Sequence, residues 1–144
     1  MNITYGCCNP EDIERLNELE TACFTEQFRW TKEDLIESLK TGDVWLLRTD
    51  EKIVGYILVE LRRKRGHVIS VGVDPTCQRK GYGKALMDEA KAFYTKFGVK
   101  DMRLEVHQDN PAQMLYFKLG YRVTNVRKDY YADGSSAVIM SLLL

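Results

Sequence analysis

The sequence predicts a mixed α/β fold, with a central sheet of about seven strands and helices on both faces. The main observation is the order of hydrophobic patterns along the chain, which is β, α, α, β, β, β, α, β, α, β, β. This order lacks the strict βαβαβ alternation of a dinucleotide-binding fold, so we expect a mixed sheet. The length of 144 residues suits one domain, residues 1–144, with one sizeable core.

The N-terminal part of the chain begins with a strand and a helix. Residues 3–8 have the composition of a strand. Asn9 is suited to the N-cap and Pro10 to the first position of a helix. The helix continues to Cys23 with an apolar stripe that Glu20 interrupts.

A second helix and three strands follow. Residues 31–34, Thr-Lys-Glu-Asp, resemble a capping box, and the helix that they open ends at Gly42. The predicted strands are 44–48, 53–62 and 68–73. Residues 49–52 join the first two strands as an antiparallel hairpin, and the basic run 62–65 is interpreted as a solvated loop of a second hairpin. A grip on an anionic partner is the alternative role of that run.

The C-terminal half alternates helices and strands. One helix, 84–97, ends at Gly98 and carries its apolar residues at helical spacing, namely Leu86, Ala90, Phe93 and Phe97. Apolar and polar residues alternate along 102–107, which predicts a half-buried strand. The remaining elements are a helix at 111–119 and strands at 122–128 and 137–142, with a turn at 133–135.

Composition excludes several classes of protein. The chain has 21 basic and 21 acidic residues and a formal net charge of zero, so no overall field favours nucleic acid or a membrane. It has no apolar stretch of the ~20 residues that a membrane span needs, and its N-terminus lacks the pattern of a signal peptide. The four cysteines, Cys7, Cys8, Cys23 and Cys77, have neither zinc spacing nor a disulfide framework. We therefore expect a cytoplasmic protein without a metal.

A glycine-containing loop is the first functional signal. Residues 78–83, Gln-Arg-Lys-Gly-Tyr-Gly, connect a predicted strand to a predicted helix. Glycine lets the backbone approach a ligand, and the start of a helix has unpaired N–H groups and a partial positive charge. This combination suits a phosphate or pyrophosphate. The loop lacks the Gly-Lys-Ser/Thr of a P-loop, and an ordinary strand-to-helix connection is the alternative interpretation.

With this loop, several short motifs in a fixed order resemble the GNAT superfamily of acetyl-CoA-dependent N-acetyltransferases. The resemblance covers the chain from about residue 44 onward. The residues that carry it are Val73-Asp74-Pro75, Gln78-x-x-Gly81-x-Gly83, Leu104-Glu105-Val106, Asn110 and Leu115-Tyr116-x-x-Leu119-Gly120-Tyr121. It implies a mostly antiparallel central sheet of about seven strands, with acetyl-CoA as co-substrate and no metal.

Within the superfamily, the chain looks most like the protein N-terminal acetyltransferases, including the ribosomal-protein-alanine branch. The residues concerned are Leu104-Glu105-Val106, the run Arg127-Lys128-Asp129-Tyr130-Tyr131-Ala132-Asp133-Gly134, and Cys23-Phe24 followed by Arg29-Trp30-Thr31. Three positions depart from this pattern: Ser136 replaces the usual Asp, Arg29 replaces the usual Pro, and the stretch from Asn110 to Tyr116 is one residue shorter than in the ribosomal branch.

The resemblance implies a site for the acetyl donor. The splayed end of the strand that contains Val71, Gly72 and Val73 would hold the pantetheine arm, and a backbone N–H there would stabilise the oxyanion. Gly72 would allow close approach or a bulge. The pyrophosphate would lie on Arg79, Lys80, Gly81, Tyr82, Gly83 and Lys84, mainly through backbone N–H groups. Asn110 would contact the cofactor, cap the following helix, or do both.

Two residues are the predicted catalytic groups. In the family that the chain resembles, Glu105 would be the base that deprotonates the incoming amine and Tyr116 the acid that protonates the departing sulfur. The alternatives are a surface carboxylate paired with Arg103 or Lys100 for Glu105, and a core aromatic for Tyr116. His107 is the fallback base, and an acetyl-cysteine route through Cys77 is the disfavoured mechanism.

The predicted acceptor is the N-terminus of a protein or peptide, possibly ribosomal. Tyr130 and Tyr131, together with the loop that contains Phe28 and Trp30, would flank it, and Glu26 would also touch it. Ordinary core or strand positions are the alternative for these aromatic residues. A small amine or a lysine side chain is the alternative acceptor, and a non-catalytic acetyl-CoA-binding module is the alternative of another class. We expect a monomer or weak homodimer without nucleic-acid or membrane partners.

Overall fold

The computed structural model describes residues 1–6, 9–26 and 28–144. It confirms the predicted mixed α/β class and the order of elements, with seven strands in one sheet and four α-helices among the described residues. The elements are β1 Asn2–Tyr5, α1 Pro10–Cys23, α2 Lys32–Thr41, β2 Asp43–Thr49, β3 Lys52–Arg62, β4 Arg65–Val73, a 3₁₀ turn Pro75–Cys77, α3 Tyr82–Lys96, β5 Asp101–His107, α4 Ala112–Lys118, β6 Arg122–Arg127 and β7 Ala137–Leu143.

The sheet has the spatial order β1-β2-β3-β4-β5-β7-β6. All neighbouring strands are antiparallel except β4 and β5, which are parallel and are connected through α3. The sheet is therefore mixed and mostly antiparallel, as predicted.

Helices cover both faces of the sheet and bury two apolar clusters. Because successive strand residues point to opposite faces, Tyr56 and Leu58 of β3 join one cluster and Ile57 and Val59 join the other. The first cluster packs under α1 and α2 through Leu16, Leu19 and Leu35. The second packs under α3 and α4 through Leu86, Met87, Ala90, Tyr94 and Tyr116.

The helix starts follow from local sequence. Asn9 accepts a hydrogen bond from the Asp12 backbone N–H, and the Asp12 carboxylate accepts one from the Asn9 N–H, which completes a capping box. Thr31 and Asp34 form the same arrangement at α2. The first box sets the start of α1, and the second sets where the loop 24–31 ends.

Some predicted boundaries were wrong, for reasons of backbone geometry. Strand β4 begins at Arg65 instead of residue 68, because Arg63 and Lys64 both adopt positive φ and make a two-residue hairpin turn. Helix α3 begins at Tyr82 instead of residue 84, because Gly81 is its left-handed N-cap with φ 80°. Strand β1 ends at Tyr5, and residues 7 and 8 of the predicted strand lie outside the described residues.

The predicted apolar stripe of α3 is not buried at its last residue. Phe97 is 66% exposed at the C-cap, although it follows Phe93 at helical spacing. Tyr94 takes the buried position and donates a hydrogen bond to Asp43. The helix ends before its apolar stripe does, because Gly98 adopts a positive φ.

Candidate active site

An opening between β4 and β5 is the main feature of the site. The two strands pair from Arg65↔Asp101 to Val68↔Leu104 and then separate. Beyond this point β4 pairs with β3 as far as Val73, whereas β5 pairs with β7 as far as His107. Ile69 is an extra residue in β4, since Val59 pairs with Val68 and Leu58 with Ser70. A bulge of this kind bends a strand, which explains the separation.

The backbone N–H and C=O groups of residues 69, 71 and 73 in β4 point toward the opening. The Ile69 carbonyl accepts a hydrogen bond of 2.9 Å from Nε1 of Trp30, and the Val73 carbonyl accepts bonds of 3.1 Å from both Cys23 Sγ and Gln78 Nε2. Val71 lies between them and therefore faces the same way, because strand residues alternate. Within the described part of the chain, nothing donates to or accepts from its backbone in this direction. Its N–H can meet an oxyanion.

Gly72 has a different function from the predicted bulge. Its backbone faces β3, and a Cβ at this position would lie 2.9 Å from Cε1 of Tyr56. The absence of a side chain therefore makes room for a buried aromatic ring. The bulge lies three residues earlier, at Ile69.

The loop 78–83 ends at an open helix start. Gly81 caps α3 in the left-handed conformation, and a Cβ at this position would have no atom within 4 Å. Ala85 is the first residue whose N–H bonds to the helix, at 3.0 Å from the Gly81 oxygen. Among residues 1–6, 9–26 and 28–144, no side chain caps the earlier N–H groups, which include those of Gly83 and Lys84. This geometry suits an anion.

Asp74 fixes the entry to this loop. Its carboxylate accepts hydrogen bonds from the Thr76 backbone N–H at 3.0 Å and hydroxyl at 2.8 Å, and it pairs with Arg15 at 2.9 Å. These interactions lower the pKa of Asp74 to about 2, and the hydrogen bonds from Thr76 make the largest contribution. These contacts fix the direction in which the chain runs from the end of β4 into the loop 78–83.

The basic side chains of the loop are exposed. Arg79 adopts φ 65°, and neither Arg79 nor Lys80 forms an ion pair with another described residue. Lys84 instead pairs with Asp88 one turn along α3, at 2.7 Å. Tyr82 is half-buried and packs against the larger core. The backbone, more than these side chains, forms the candidate phosphate site.

Tyr116 lies in the core with its hydroxyl uncommitted. The residue is 9% exposed on α4, and burial raises its pKa to about 12. None of the described residues forms a hydrogen bond with this hydroxyl. At neutral pH the phenol carries its proton, which a general acid must do. Core packing and an acid role are therefore compatible.

Asn110 precedes the N-cap of α4, which is Pro111. Its side-chain oxygen accepts a hydrogen bond of 2.9 Å from the N–H of Ala112, the first residue of the helix, so it bonds the helix start from one position before the predicted cap. Its backbone N–H donates to the His107 carbonyl at 2.9 Å, which ties α4 to the end of β5. The start of α3 lies close to α4, since a Cβ at Gly83 would be 3.7 Å from Leu115 Cδ2.

Glu105 projects from the polar face of β5. Leu104 and Val106, its neighbours, are each 5% exposed. The partner of its carboxylate is Arg127 of β6, with Nη1 at 3.1 Å from Oε1, so the considered pairing with Arg103 or Lys100 is wrong. The nearby Glu105 carboxylate also raises the pKa of Tyr130. The carboxylate therefore lies beside the predicted acceptor residues.

Both ring nitrogens of His107 are occupied. Nδ1 accepts a hydrogen bond of 3.1 Å from the Asp109 N–H, so neutral His107 carries its proton on Nε2. Nε2 lies 2.8 Å from Oγ of Ser135, which in turn donates to Asp133. A ring held in this way orients the loop 128–136, and its nitrogens are poorly placed to take a proton from an amine.

An aromatic cluster joins the two loops that flank Glu105. Phe28 lies 4.7 Å from the His107 ring and 4.8 Å from the Tyr131 ring, between ring centroids. Tyr130 packs edge-on against Tyr131 at 5.1 Å. The loop after α1 and the loop after β6 therefore meet beside β5, as the acceptor prediction requires.

Trp30 is separate from this cluster. Its indole donates to the Ile69 carbonyl and its backbone N–H donates to Glu20, at 2.9 Å in both cases. The structure thus places Trp30 against the bulge of β4.

Sequence reasoning missed Arg127 as the partner of Glu105, because a contact between side chains of different strands depends on the register of the sheet. Sequence reasoning also missed that Glu20 holds the loop at Trp30, although a polar residue within the apolar stripe of α1 was a visible signal of a special position.

The cysteines and acidic groups give no metal site in the described residues. In these parts of the chain, no group of three or more His, Cys, Asp or Glu side chains is close enough to hold an ion. Cys77 Sγ lies 3.7 Å from the Thr76 hydroxyl.

Among the helices of the described residues, none is both long and apolar enough to cross a membrane.

The chain belongs to the acetyltransferase (GNAT) family, whose sequence model matches residues 13–121. This membership confirms the predicted class of enzyme, an acetyl-CoA-dependent acyltransferase. The chain is 31% identical over 140 residues to the [ribosomal protein bS18]-alanine N-acetyltransferase of Haemophilus ducreyi, covering 93% of this chain and 95% of that protein. It is 32% identical over 147 residues to the N-alpha-acetyltransferase of Saccharolobus solfataricus, covering 91% and 87%.

A solved structure agrees with these relatives. The crystal structure of the ribosomal-protein-S18-alanine N-acetyltransferase from Escherichia coli matches with a TM-score of 0.87 and 25% identity, and the match covers 99% of this chain and 94% of that chain. The predicted GNAT fold is therefore confirmed.

Proposed function

We propose that this protein transfers the acetyl group of acetyl-CoA to the N-terminal α-amino group of a protein or peptide, with a ribosomal protein as a candidate acceptor. The observation that carries the proposal is the meeting of Phe28, Tyr130 and Tyr131 beside Glu105. The names of the relatives described above support the same acceptor class.

The donor site is proposed along the opening and the start of α3. The N–H groups of Gly83 and Lys84 and the open space beside Gly81 suit a pyrophosphate. Arg79, Lys80 and Tyr82 border this site, and Asn110 is a further contact. The edge of β4 suits an amide-containing arm, because the backbone groups of Val71 and the N–H of Val73 face the opening as those of a neighbouring strand would, while the Val73 carbonyl is held by Cys23 and Gln78.

The acceptor site is proposed on the other side of the opening. Glu105 receives the α-ammonium group, and the two tyrosines with Phe28 surround the first residue of the peptide. Trp30 contributes by holding the loop 24–31 against β4.

The proposed chemistry is a direct attack within a ternary complex. Glu105 takes a proton from the ammonium group, directly or through water, and the free amine nitrogen then attacks the thioester carbonyl. The Val71 N–H stabilises the negative charge that develops on the carbonyl oxygen. As the new C–N bond forms and the C–S bond breaks, Tyr116 gives its proton to the sulfur, which leaves as a thiol. The nitrogen, which became cationic on attack, loses its second proton to water, and the Tyr116 oxygen regains a proton from water.

A mass-spectrometric screen tests the acceptor class. Peptides with free N-termini are compared with the same sequences blocked at the N-terminus and carrying an internal lysine, together with polyamines and free lysine. We expect acetylation of the free N-termini and little transfer to the blocked set. Preferential acetylation of polyamines or of lysine side chains would show that the acceptor assignment is wrong.

Initial-rate kinetics test the ternary complex. Lines that intersect in double-reciprocal plots, together with full activity of Cys77→Ala, are expected for direct transfer. Parallel lines and loss of activity in Cys77→Ala would instead support an acetyl-cysteine intermediate.

The proposed location of the protein is the cytoplasm. We propose that residues 1–144 form one domain that acts as a monomer or weak homodimer.

A further inference from the structure

Glu20 is a buried carboxylate without a cationic partner. It is 1% exposed on the face of α1 that packs against the sheet. Among the described residues it forms no ion pair with Lys, Arg or His, although burying an isolated charge is costly. Three hydrogen-bond donors surround it instead.

These donors come from three different parts of the chain. Oε1 accepts from the Tyr56 hydroxyl of β3 and from Ser70 Oγ of β4 at 2.6 Å. Oε2 accepts from the backbone N–H of Trp30 at 2.9 Å. One side chain on α1 therefore connects two strands of the sheet with the loop 24–31.

The connected residues adjoin both halves of the proposed active site. Ser70 lies between the bulge at Ile69 and Val71, whose N–H faces the opening. Trp30 is two residues after Phe28, which contacts the aromatic cluster at the acceptor site. The Trp30 indole reinforces the connection, because it donates to the Ile69 carbonyl.

Stability alone is a poor explanation for this carboxylate. Replacing a whole buried polar network by apolar side chains of similar size is often neutral or stabilising, so packing alone does not require a carboxylate with its three donors at this point. A buried carboxylate with several acceptor positions can hold three separate donors at one point, which an apolar side chain cannot do.

We propose that Glu20 is a positioning residue that fixes the acceptor loop 24–31 and the strand carrying Val71 relative to each other. The inference rests on the proposed function for its effect on acetyl transfer. Its structural part, the anchoring of Trp30 by Glu20, can be measured separately.

The main variants are Glu20→Met, which fills the space without acceptors, and Glu20→Gln. The amide of Gln can accept from the Trp30 N–H through its oxygen and donate to the Ser70 and Tyr56 hydroxyls. We expect Glu20→Met to lower kcat/KM for peptide acceptors by about 10- to 100-fold, since small misplacements of reacting groups have effects of this size. The Kd of acetyl-CoA is expected to change far less, because α3 and the pairing of β4 with β3 hold most of the donor site without Glu20. Glu20→Gln is expected to restore most of the activity.

An NMR measurement reports on the loop independently of the acceptor. The chain has 2 tryptophans, so two indole N–H signals are expected, and Trp30→Phe assigns one of them. In Glu20→Met the Trp30 indole N–H should shift and exchange faster with solvent, because its bond to Ile69 weakens. Glu60→Met is the matched control, since Glu60 of β3 also accepts from a serine, Ser38, at 2.8 Å.

The outcomes separate the two proposals. If the Trp30 signal and its exchange are unchanged in Glu20→Met, the positioning inference is wrong whatever the acceptor is. If the signal changes but the wild-type protein acetylates no N-terminal peptide, the inference holds and the proposed function fails. Should Glu20→Met not fold, Ser70→Ala removes one donor and must produce a smaller change of the same kind, and an unchanged signal there would also overturn the inference.

Discussion

Arg127 Nη1 lies 3.1 Å from the Glu105 carboxylate, so a guanidinium group from the edge strand β6 occupies the position proposed for the acceptor ammonium. The Arg127 side chain is 51% exposed and that of Glu105 36%. Exposed pairs of this kind contribute about 0–1 kcal/mol, so an incoming cation can replace the guanidinium at small cost.

Arg127→Gln is therefore expected to lower the KM of the acceptor while changing kcat and the free energy of unfolding little. Steady-state kinetics and urea unfolding measure these quantities. Arg122→Gln is the control, because Arg122 lies on the same strand but stacks over Phe117 at 4.1 Å. An unchanged KM in Arg127→Gln would mean that the ion pair does not compete with the acceptor.

Glu105→Gln removes the proposed base and keeps the shape of the side chain. General-base contributions are about 10²- to 10⁴-fold, so kcat should fall by at least about 100-fold while the Kd of acetyl-CoA stays the same. Rates and calorimetric binding are measured alongside Glu89→Gln, an exposed glutamate on α3. Full activity in Glu105→Gln would refute the assignment.

Tyr116→Phe removes the proposed acid. Because burial raises the pKa of Tyr116 to about 12, the wild-type enzyme should keep this proton through pH 10, where an ordinary tyrosine is half ionised. We expect kcat to fall by about 100-fold or more in the variant. Tyr121→Phe, which alters a neighbouring buried ring at 6.2 Å, should retain activity. Equal losses in both variants would indicate a packing effect.

Gly81→Ala tests the start of α3 as the phosphate site. Gly98 provides a matched control, since the two glycines have φ 80° and 75° and a Cβ at either position would have no atom within 4 Å. Alanine at either position should destabilise the fold by about 1–2 kcal/mol through left-handed strain. Weaker binding of acetyl-CoA is expected for Gly81→Ala alone, and equal affinity in the two variants would contradict the assignment.

Asp74 makes the stability of the fold sensitive to acid. Its pKa is lowered from 3.8 to about 2 in the folded chain, so the unfolded chain binds a proton first as the pH falls. The stabilisation is complete above about pH 4 and is lost between the two pKa values. Asp74→Asn should lack this part of the pH dependence of urea unfolding. Asp88→Asn, an exposed control, should keep it.

The sequence predicted the elements that depend on local chemistry. The capping boxes at Asn9 and Thr31 and the alternation around Glu105 correspond directly to observed geometry. The starts of β4 and α3 were misplaced because non-glycine residues in the turn 63–64 adopt positive φ and because Gly81 caps a helix. Neither conformation has a reliable signal in residue type.

Contacts between distant segments were the least predictable part of the site. The pairing of Glu105 with Arg127 depends on the register of β5, β7 and β6. The link between Trp30 and the Ile69 carbonyl depends on a bulge that hydrophobic alternation conceals. The reason for glycine at position 72 also became clear only from the position of the Tyr56 ring.

The opening between β4 and β5 depends on the number of residues in β4, because Ile69 is one residue more than the pairing with β3 needs. Ile69 packs its side chain among the residues under α1 and α2, so apolar replacements there should be tolerated. Deleting the residue would instead remove the bulge, because Val68 and Ser70 already pair with the adjacent residues Val59 and Leu58, and β4 would lose the bend that separates it from β5. In a family whose members differ greatly in sequence, insertions and deletions at this point should therefore be rarer than substitutions.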